Sequence, residues 1–266
     1  MTVPRRWWWP TLAWVALTCG AFTVACLPVR APRCDRIPAD DGCSRVLFIG
    51  NSYTSVNDLP RTFAAVALAQ GHAVYTEMIA PGGATLADHA ASMAVLDKIR
   101  TGHWTYVVLQ EQSLMPAVEQ SRQGQMYPAA RALVSEIRHA GARPVFYAAW
   151  GRQHGWPEGG LADYAALQAQ VTLGYRAIAD ELHAIVAPVG DAWAAIAAEH
   201  PDIPLWQLDG SHPTVQGTFL AANVLMATLF HETPRGLGAR GQVPEVHVYR
   251  LQQAAAKAAG VPGGAP

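Results

Sequence analysis

The 266-residue sequence is short of charge, of cysteine and of long apolar runs. Only 15% of its residues are charged, and 19 Lys and Arg against 20 Asp and Glu leave a formal charge of −1. That balance excludes a polybasic nucleic-acid binder and an acidic disordered tail. Four cysteines are present and none follows Cys43, so neither a thiol nucleophile nor a Cys-based zinc site is available to the rest of the chain. No two histidines stand at metal-ligand spacing with a carboxylate, so no metal is expected, and nothing calls for an organic cofactor. There is no internal repeat. Only one apolar run is long enough to span a bilayer.

What is there is a core. Hydrophobic residues make up 51% of the chain, enough to exclude general disorder, and the length fits one large domain better than two. The spanning-length run lies at the start. Arg5 and Arg6 precede an uncharged stretch from Trp7 to Leu27, with small residues near its end. This describes a secretory signal over residues 1–25, the other reading being a retained signal-anchor helix. Thr23-Val24-Ala25-Cys26 resembles the bacterial lipobox, with Thr23 where Leu is usual, and so predicts lipidation at Cys26. Residues 26–44 are Pro-rich and polar and read as a linker. Within them Cys34 and Cys43 form a candidate disulfide of an exported protein.

From Arg45 onward short apolar runs alternate with helical ones. Strands are predicted at Val46–Ile49, Ala73–Ile79, Tyr106–Leu109, Pro144–Ala149 and Ile185–Val189. Helices are predicted at Leu59–Gln70, Leu86–Ile99, Tyr127–His139, Leu161–His183, Ala192–Glu199 and Thr214–Phe230. Strands separated by helices of this length need crossover connections, hence a parallel sheet covered on both faces. The expected architecture is a three-layer α/β/α domain over residues 45–234, doubly wound on a five-stranded parallel sheet. Ligands of such a domain bind beyond the carboxyl ends of its strands. Residues 235–266 read as a Gly- and Ala-rich tail with one weak helix near Leu251–Ala259.

Two segments carry the chemistry. Gly50-Asn51-Ser52 follows the first strand, which puts a hydroxyl at the mouth of the sheet beside the amides of a following helix. Taken alone, Ser52 could equally cap that helix. Near the other end, Asp209-Gly210-Ser211-His212-Pro213 sets Asp and His three apart in a tight turn. A carboxylate there can hold one imidazole nitrogen and leave the other facing outward, although a lone Asp-x-x-His is also an ordinary surface turn.

Together these segments, with a Gly after the second strand and a polar amide after the third, resemble the SGNH (GDSL-type) hydrolase superfamily over about Arg45 to Phe230. "LFIGNSYT" and "DGSHPT" are the specific stretches, and "LQEQS" resembles a branch in which Gln replaces the third-strand Asn. Asn51 stands where the family's Asp precedes the serine. The resemblance implies a flavodoxin-like fold, Ser52 as nucleophile, His212 as general base and Asp209 as its orienting acid. It implies an oxyanion hole from the backbone N–H groups of Ser52 and Gly83 and one glutamine side chain. Gln110 is the preferred donor because it directly continues the strand, and Gln112 the alternative because it shares the same strand face. Glu111 is expected to point away, since a carboxylate would repel an oxyanion. Trp150, Arg152 and His154 follow the fourth strand and are candidate substrate contacts. Asp191 is expected to cap the helix after the fifth.

The implied activity is ester hydrolysis in an exported protein, through an acyl-enzyme. The first choice of substrate is a small acyl group such as acetyl on a carbohydrate, with lipid or short-chain esters as the alternative. No long apolar insertion is present to lid a lipase. A reading from another class is a non-catalytic envelope protein that binds a glycan or a partner in the same cleft. Membrane contact is expected only through the signal or a lipid anchor, and nothing in the sequence sets an oligomeric state.

Overall fold

The computed structural model describes residues 33–36 and 40–262. The signal segment and Cys26 lie outside the described residues. The elements run β1 (Cys43–Ile49), α1 (Ser52–Ser55), α2 (Leu59–Ala69), β2 (Ala73–Ile79), α3 (Leu86–Ala91), α4 (Met93–Thr101), β3 (Tyr106–Leu109), α5 (Glu119–Ser121), α6 (Tyr127–His139), β4 (Arg143–Tyr147), α7 (Tyr164–Glu181), β5 (Ile185–Ala187), α8 (Val189–Glu199), α9 (Val215–Phe230) and α10 (Glu245–Ala258). All strand pairs are parallel, in the order β2-β1-β3-β4-β5. The expected doubly wound α/β/α sheet is present.

Burial explains the strands. Val46–Ile49 and Tyr106–Leu109 are apolar without alternation because helices cover both faces, and every one of these residues is buried. The strand order reverses between β1 and β3, which pair from Val46↔Tyr106 to Ile49↔Leu109. The loops leaving β1 and β3 therefore diverge at one rim and open a crevice between them.

Several boundaries differ from the sequence expectation. β1 starts at Cys43, because Cys43, Ser44 and Arg45 already pair with Ala73, Val74 and Tyr75. The domain thus begins inside the expected linker, where Cys34 and Cys43 are joined by a disulfide. Arg45 is buried, its guanidinium 4.4 Å and 4.9 Å from the Tyr75 and Trp104 ring centroids, and it donates to the Gly102 and Cys34 carbonyls. The helix expected over Leu86–Ile99 is two, meeting at an extended Ser92. A Thr85–Asp88 capping box starts α3, and His89 bonds the Gly50 carbonyl at 2.8 Å. The chain then turns so that Val95 and Ile99 reach the core.

The C-terminal segment is not a loose tail. α10 buries Val248, Leu251, Gln252, Ala255 and Ala256 against α8 and α9. α9 is buried on nearly every side, which fits its mostly apolar sequence, interrupted by the buried polar residues Thr218, Asn223 and Thr228. Asp191 lies within the first turn of α8, pairing with Arg176 at 2.6 Å, rather than at the cap. Among the described residues no helix is long and apolar enough to cross a membrane.

Candidate active site

The turn after β1 is built around a gap. A Cβ on Gly50 would lie 2.5 Å from Thr54 Oγ1 and 2.6 Å from Gln110 Oε1, so only glycine admits both groups. Gln110 Oε1 accepts from the Asn51 N–H at 3.0 Å and from Thr54 Oγ1 at 2.9 Å. Asn51 caps α1, its Oδ1 accepting from Tyr53 N at 3.1 Å, and its Nδ2 donates to the Ala84 carbonyl at 2.9 Å. Ser52 is therefore the first helical residue and not the cap. Its own N–H is one of the donors that a helix leaves unpaired.

The turn before α9 is built around Asp209. Its Oδ1 accepts from Ser211 N at 2.9 Å and His212 N at 3.0 Å, while Oδ2 lies 2.5 Å from His212 Nδ1. Gln207 N donates to the His212 carbonyl at 2.8 Å, and Thr214 caps α9. The bond to His212, helped by the two backbone N–H groups, holds the Asp209 carboxyl down at about 2. An ionised carboxylate only accepts, so Nδ1 carries the imidazole hydrogen and the Nε2 lone pair is left free. His212 Nε2 lies 2.9 Å from Ser52 Oγ. The structure thus brings Ser52, His212 and Asp209 into one hydrogen-bonded line across 160 residues of sequence.

A wall of aromatic rings backs this line. Tyr53 meets the His212 ring edge-on at 5.9 Å and stacks on Trp150 at 4.6 Å, which in turn stacks on Trp193 at 3.9 Å. Tyr53 OH is 2.7 Å from Ser211 Oγ, and Trp150 Nε1 donates to the Ser211 carbonyl at 2.9 Å. Burial raises the Tyr53 phenol, opposed by hydrogen bonds to Ser211 and Ser113 and by the charge of Arg152. Asn57 Nδ2 donates to both Pro213 O and Thr218 Oγ1. Sequence reading missed Tyr53, Asn57 and Ser211. Tyr53 and Ser211 lie inside the two quoted stretches and Asn57 five residues after Ser52, but nothing in their residue types marked them.

Two expected contacts are corrected. Gln110 is fully buried and its amide is committed at both ends, Nε2 donating to the Glu111 carbonyl at 2.5 Å. It shapes the Ser52 turn and, fully enclosed, presents no amide hydrogen at the surface. Trp150 is 0% exposed and is a core residue, not a substrate contact. Gln112 is half-buried, with Oε1 held by Leu114 N and Nε2 bonded among the described residues to Ser113 Oγ at 3.4 Å. Gly83 has a left-handed φ of 73°, is exposed, and its N–H donates to no acceptor among the described residues. Glu111 is buried, its Oε1 accepting from Leu86 N at 3.1 Å and Gln112 N at 2.7 Å. Arg152 is half-buried and His154 exposed, both beside the Asp209–His212 turn, where Gln153 N donates to the Gly210 carbonyl at 2.7 Å.

No family model matches the chain, and no curated protein matches it in sequence. Solved structures do. A candidate SGNH hydrolase from Slackia heliotrinireducens is 27% identical with a TM-score of 0.60, over 70% of this chain and 99% of that one. A DUF4886 family protein from Bacteroides uniformis is 17% identical with a TM-score of 0.68, over 81% and 94%. A variant of an acetyl-xylooligosaccharide esterase from Geobacillus Stearmophilus is 14% identical with a TM-score of 0.54, over 73% and 97%. The last two likenesses concern the fold.

Proposed function

We propose that this chain is an SGNH/GDSL-type hydrolase, an exported serine esterase working through Ser52, His212 and Asp209, a reading supported by its likeness to the SGNH hydrolase structure. The observation that carries this reading is the unbroken line Ser52 Oγ–His212 Nε2 at 2.9 Å and His212 Nδ1–Asp209 Oδ2 at 2.5 Å. A serine hydroxyl is a weak nucleophile until a base within hydrogen-bond reach takes its proton. Ser52 Oγ bonds to the ester carbon while His212 Nε2 takes that proton, and Asp209 stabilises the imidazolium. The carbonyl oxygen becomes an oxyanion facing the Ser52 and Gly83 N–H groups, with Gln112 as the side-chain donor. His212 then protonates the departing alcohol. Water repeats the sequence on the acyl-enzyme with the same base.

A small acyl group on a carbohydrate remains the first substrate. The His212 and Asp209 side chains are 33% and 46% exposed, an open arrangement that suits a bulky alcohol and a short acyl group better than a long chain needing an apolar sleeve. The Cys34–Cys43 disulfide supports export, since such bonds persist in oxidising compartments. The signal over residues 1–25 and lipidation at Cys26 belong to the same proposal. A second reading, lipid or short-chain esters, draws on Leu208, which is fully exposed beside Asp209.

A fluorophosphonate probe and release of acetate from acetylated sugars test the reading together. Wild type should label and turn over, Ser52→Ala and His212→Ala should do neither, and Asp209→Asn should lose roughly 10²–10⁴ in kcat. Folded wild type that neither labels nor hydrolyses any ester would favour the glycan-binding alternative.

A further inference from the structure

Among the described residues Arg152 has no counter-charge within ion-pair distance. It lies in the loop after β4, where Trp150 Nε1 and Gln153 N donate to the carbonyls of Ser211 and Gly210, so this loop runs along the turn that carries His212. On its other side, Arg152 Nη2 reaches Ser113 Oγ at 3.5 Å, in the loop after β3 that carries Gln112. Its charge acts on Tyr53, the residue after Ser52. The guanidinium therefore bridges the two loops that flank the Ser52–His212 line, at the rim where the strand order turns. No Asp or Glu oxygen pairs with it among the described residues, and its Nε is buried without a hydrogen-bond partner. Leaving a guanidinium half-buried and unpaired is costly, and its fork geometry matches a carboxylate or phosphate.

We propose that Arg152 is a specificity-determining residue that binds an anionic oxygen group, carboxylate or phosphate, on the alcohol part of the ester. This rests on the esterase reading above and narrows its substrate to acidic carbohydrates. Once such a group is bound, the small acyl carbonyl is left to Ser52, while the charge that Arg152 lacks is supplied by the substrate itself.

The experiment compares kcat/KM for three acetyl esters: a neutral hexose, the corresponding uronic acid and the corresponding sugar phosphate. Wild type should favour at least one acidic ester over the neutral one by roughly tenfold or more. The acid that gains shows which anion the site takes. Arg152→Gln should bring that ratio close to 1, and Arg152→Lys should keep part of it. Raising the salt concentration should shrink the preference of wild type, a measurement that needs no variant to fold. Equal rates of wild type on all three esters would overturn the proposal while leaving the esterase reading standing. An acidic preference that survives Arg152→Gln would do the same. Wild type inert toward every ester, and unlabelled by fluorophosphonate, would remove both.

Discussion

Asn57 and Pro213 stand 156 residues apart, and Asn57 Nδ2 donates to the Pro213 carbonyl at 2.9 Å. The bond ties the segment that leaves Ser52 to the turn that carries His212. Asn57 adopts a left-handed φ of 58°, a conformation that asparagine tolerates better than most residues, and so aims its amide at that turn. Its second bond, to Thr218 Oγ1 at 3.0 Å, anchors the same amide to α9.

Asn57→Gly keeps the backbone conformation and removes both bonds. It is expected to lower kcat on an acetyl ester by about tenfold with little change in KM, because the Ser52–His212 distance is no longer held from both sides. Asn57→Ala adds backbone strain and should cost a further ~1 kcal/mol of stability in denaturant unfolding. A glycine variant with wild-type kcat would show that the bond does not position the site.

Glu111 predicts a pH dependence of stability. Burial pushes its carboxyl up to about 7 although the Gln112 and Leu86 N–H groups pull the other way, and its Oε2 has no hydrogen-bond partner among the described residues. An acid whose folded-state value is raised holds a proton that the unfolded chain releases. Stability therefore falls as pH rises from about 4.5 to about 7, and is lost rather than gained in that window. The groups around it are Asp88, whose charge raises it further, the Tyr175 hydroxyl that accepts its backbone N–H, and His89 next to Asp88 on α3. Burial lowers His89, so its contribution has the opposite sign, lost as pH falls. The difference between wild type and Glu111→Gln isolates Glu111: the variant should gain on wild type as pH rises across the window. Parallel unfolding curves for the two proteins would refute this assignment.

Trp150 separates packing from recognition. As a fully buried ring stacked between Tyr53 and Trp193, it should cost about 3–5 kcal/mol when replaced by alanine. Trp150→Phe keeps most of the stacking and removes the donor to the Ser211 carbonyl, a loss of about 1–3 kcal/mol. Both should depress kcat through Tyr53 and Ser211, since these two touch or adjoin His212. A raised KM with unchanged stability would instead restore the expectation of a substrate contact.

Much of the fold was legible because its strands are buried on both faces. Continuous runs such as Val46–Ile49 and Tyr106–Leu109 leave few alternatives when helices separate them. The Asp209–His212 pair was legible in part, since a spacing of three within a Gly- and Pro-bounded turn can bring the carboxylate to its own imidazole, and the resemblance chose that reading over an ordinary surface turn. The glutamines were not. Strand continuation says which way Gln110 begins, but its amide turns inward because Gly50 leaves a gap and the Asn51 N–H needs an acceptor. Both facts depend on β1 lying beside β3. The break at Ser92 has the same character, set by His89 reaching the Gly50 carbonyl.

The sequence by itself determined the alternation of strands and helices, the local Asp209–His212 turn and a serine poised after the first strand, because each depends on neighbours along the chain. Tertiary structure alone decided that Ser52 meets His212, that Gln110 is consumed by the turn, that Trp150 is core and that Arg152 has no acidic partner among the described residues. Those outcomes depend on which groups fill the space between distant loops, and a chain's local pattern does not encode the direction of a side chain whose partner lies a hundred residues away.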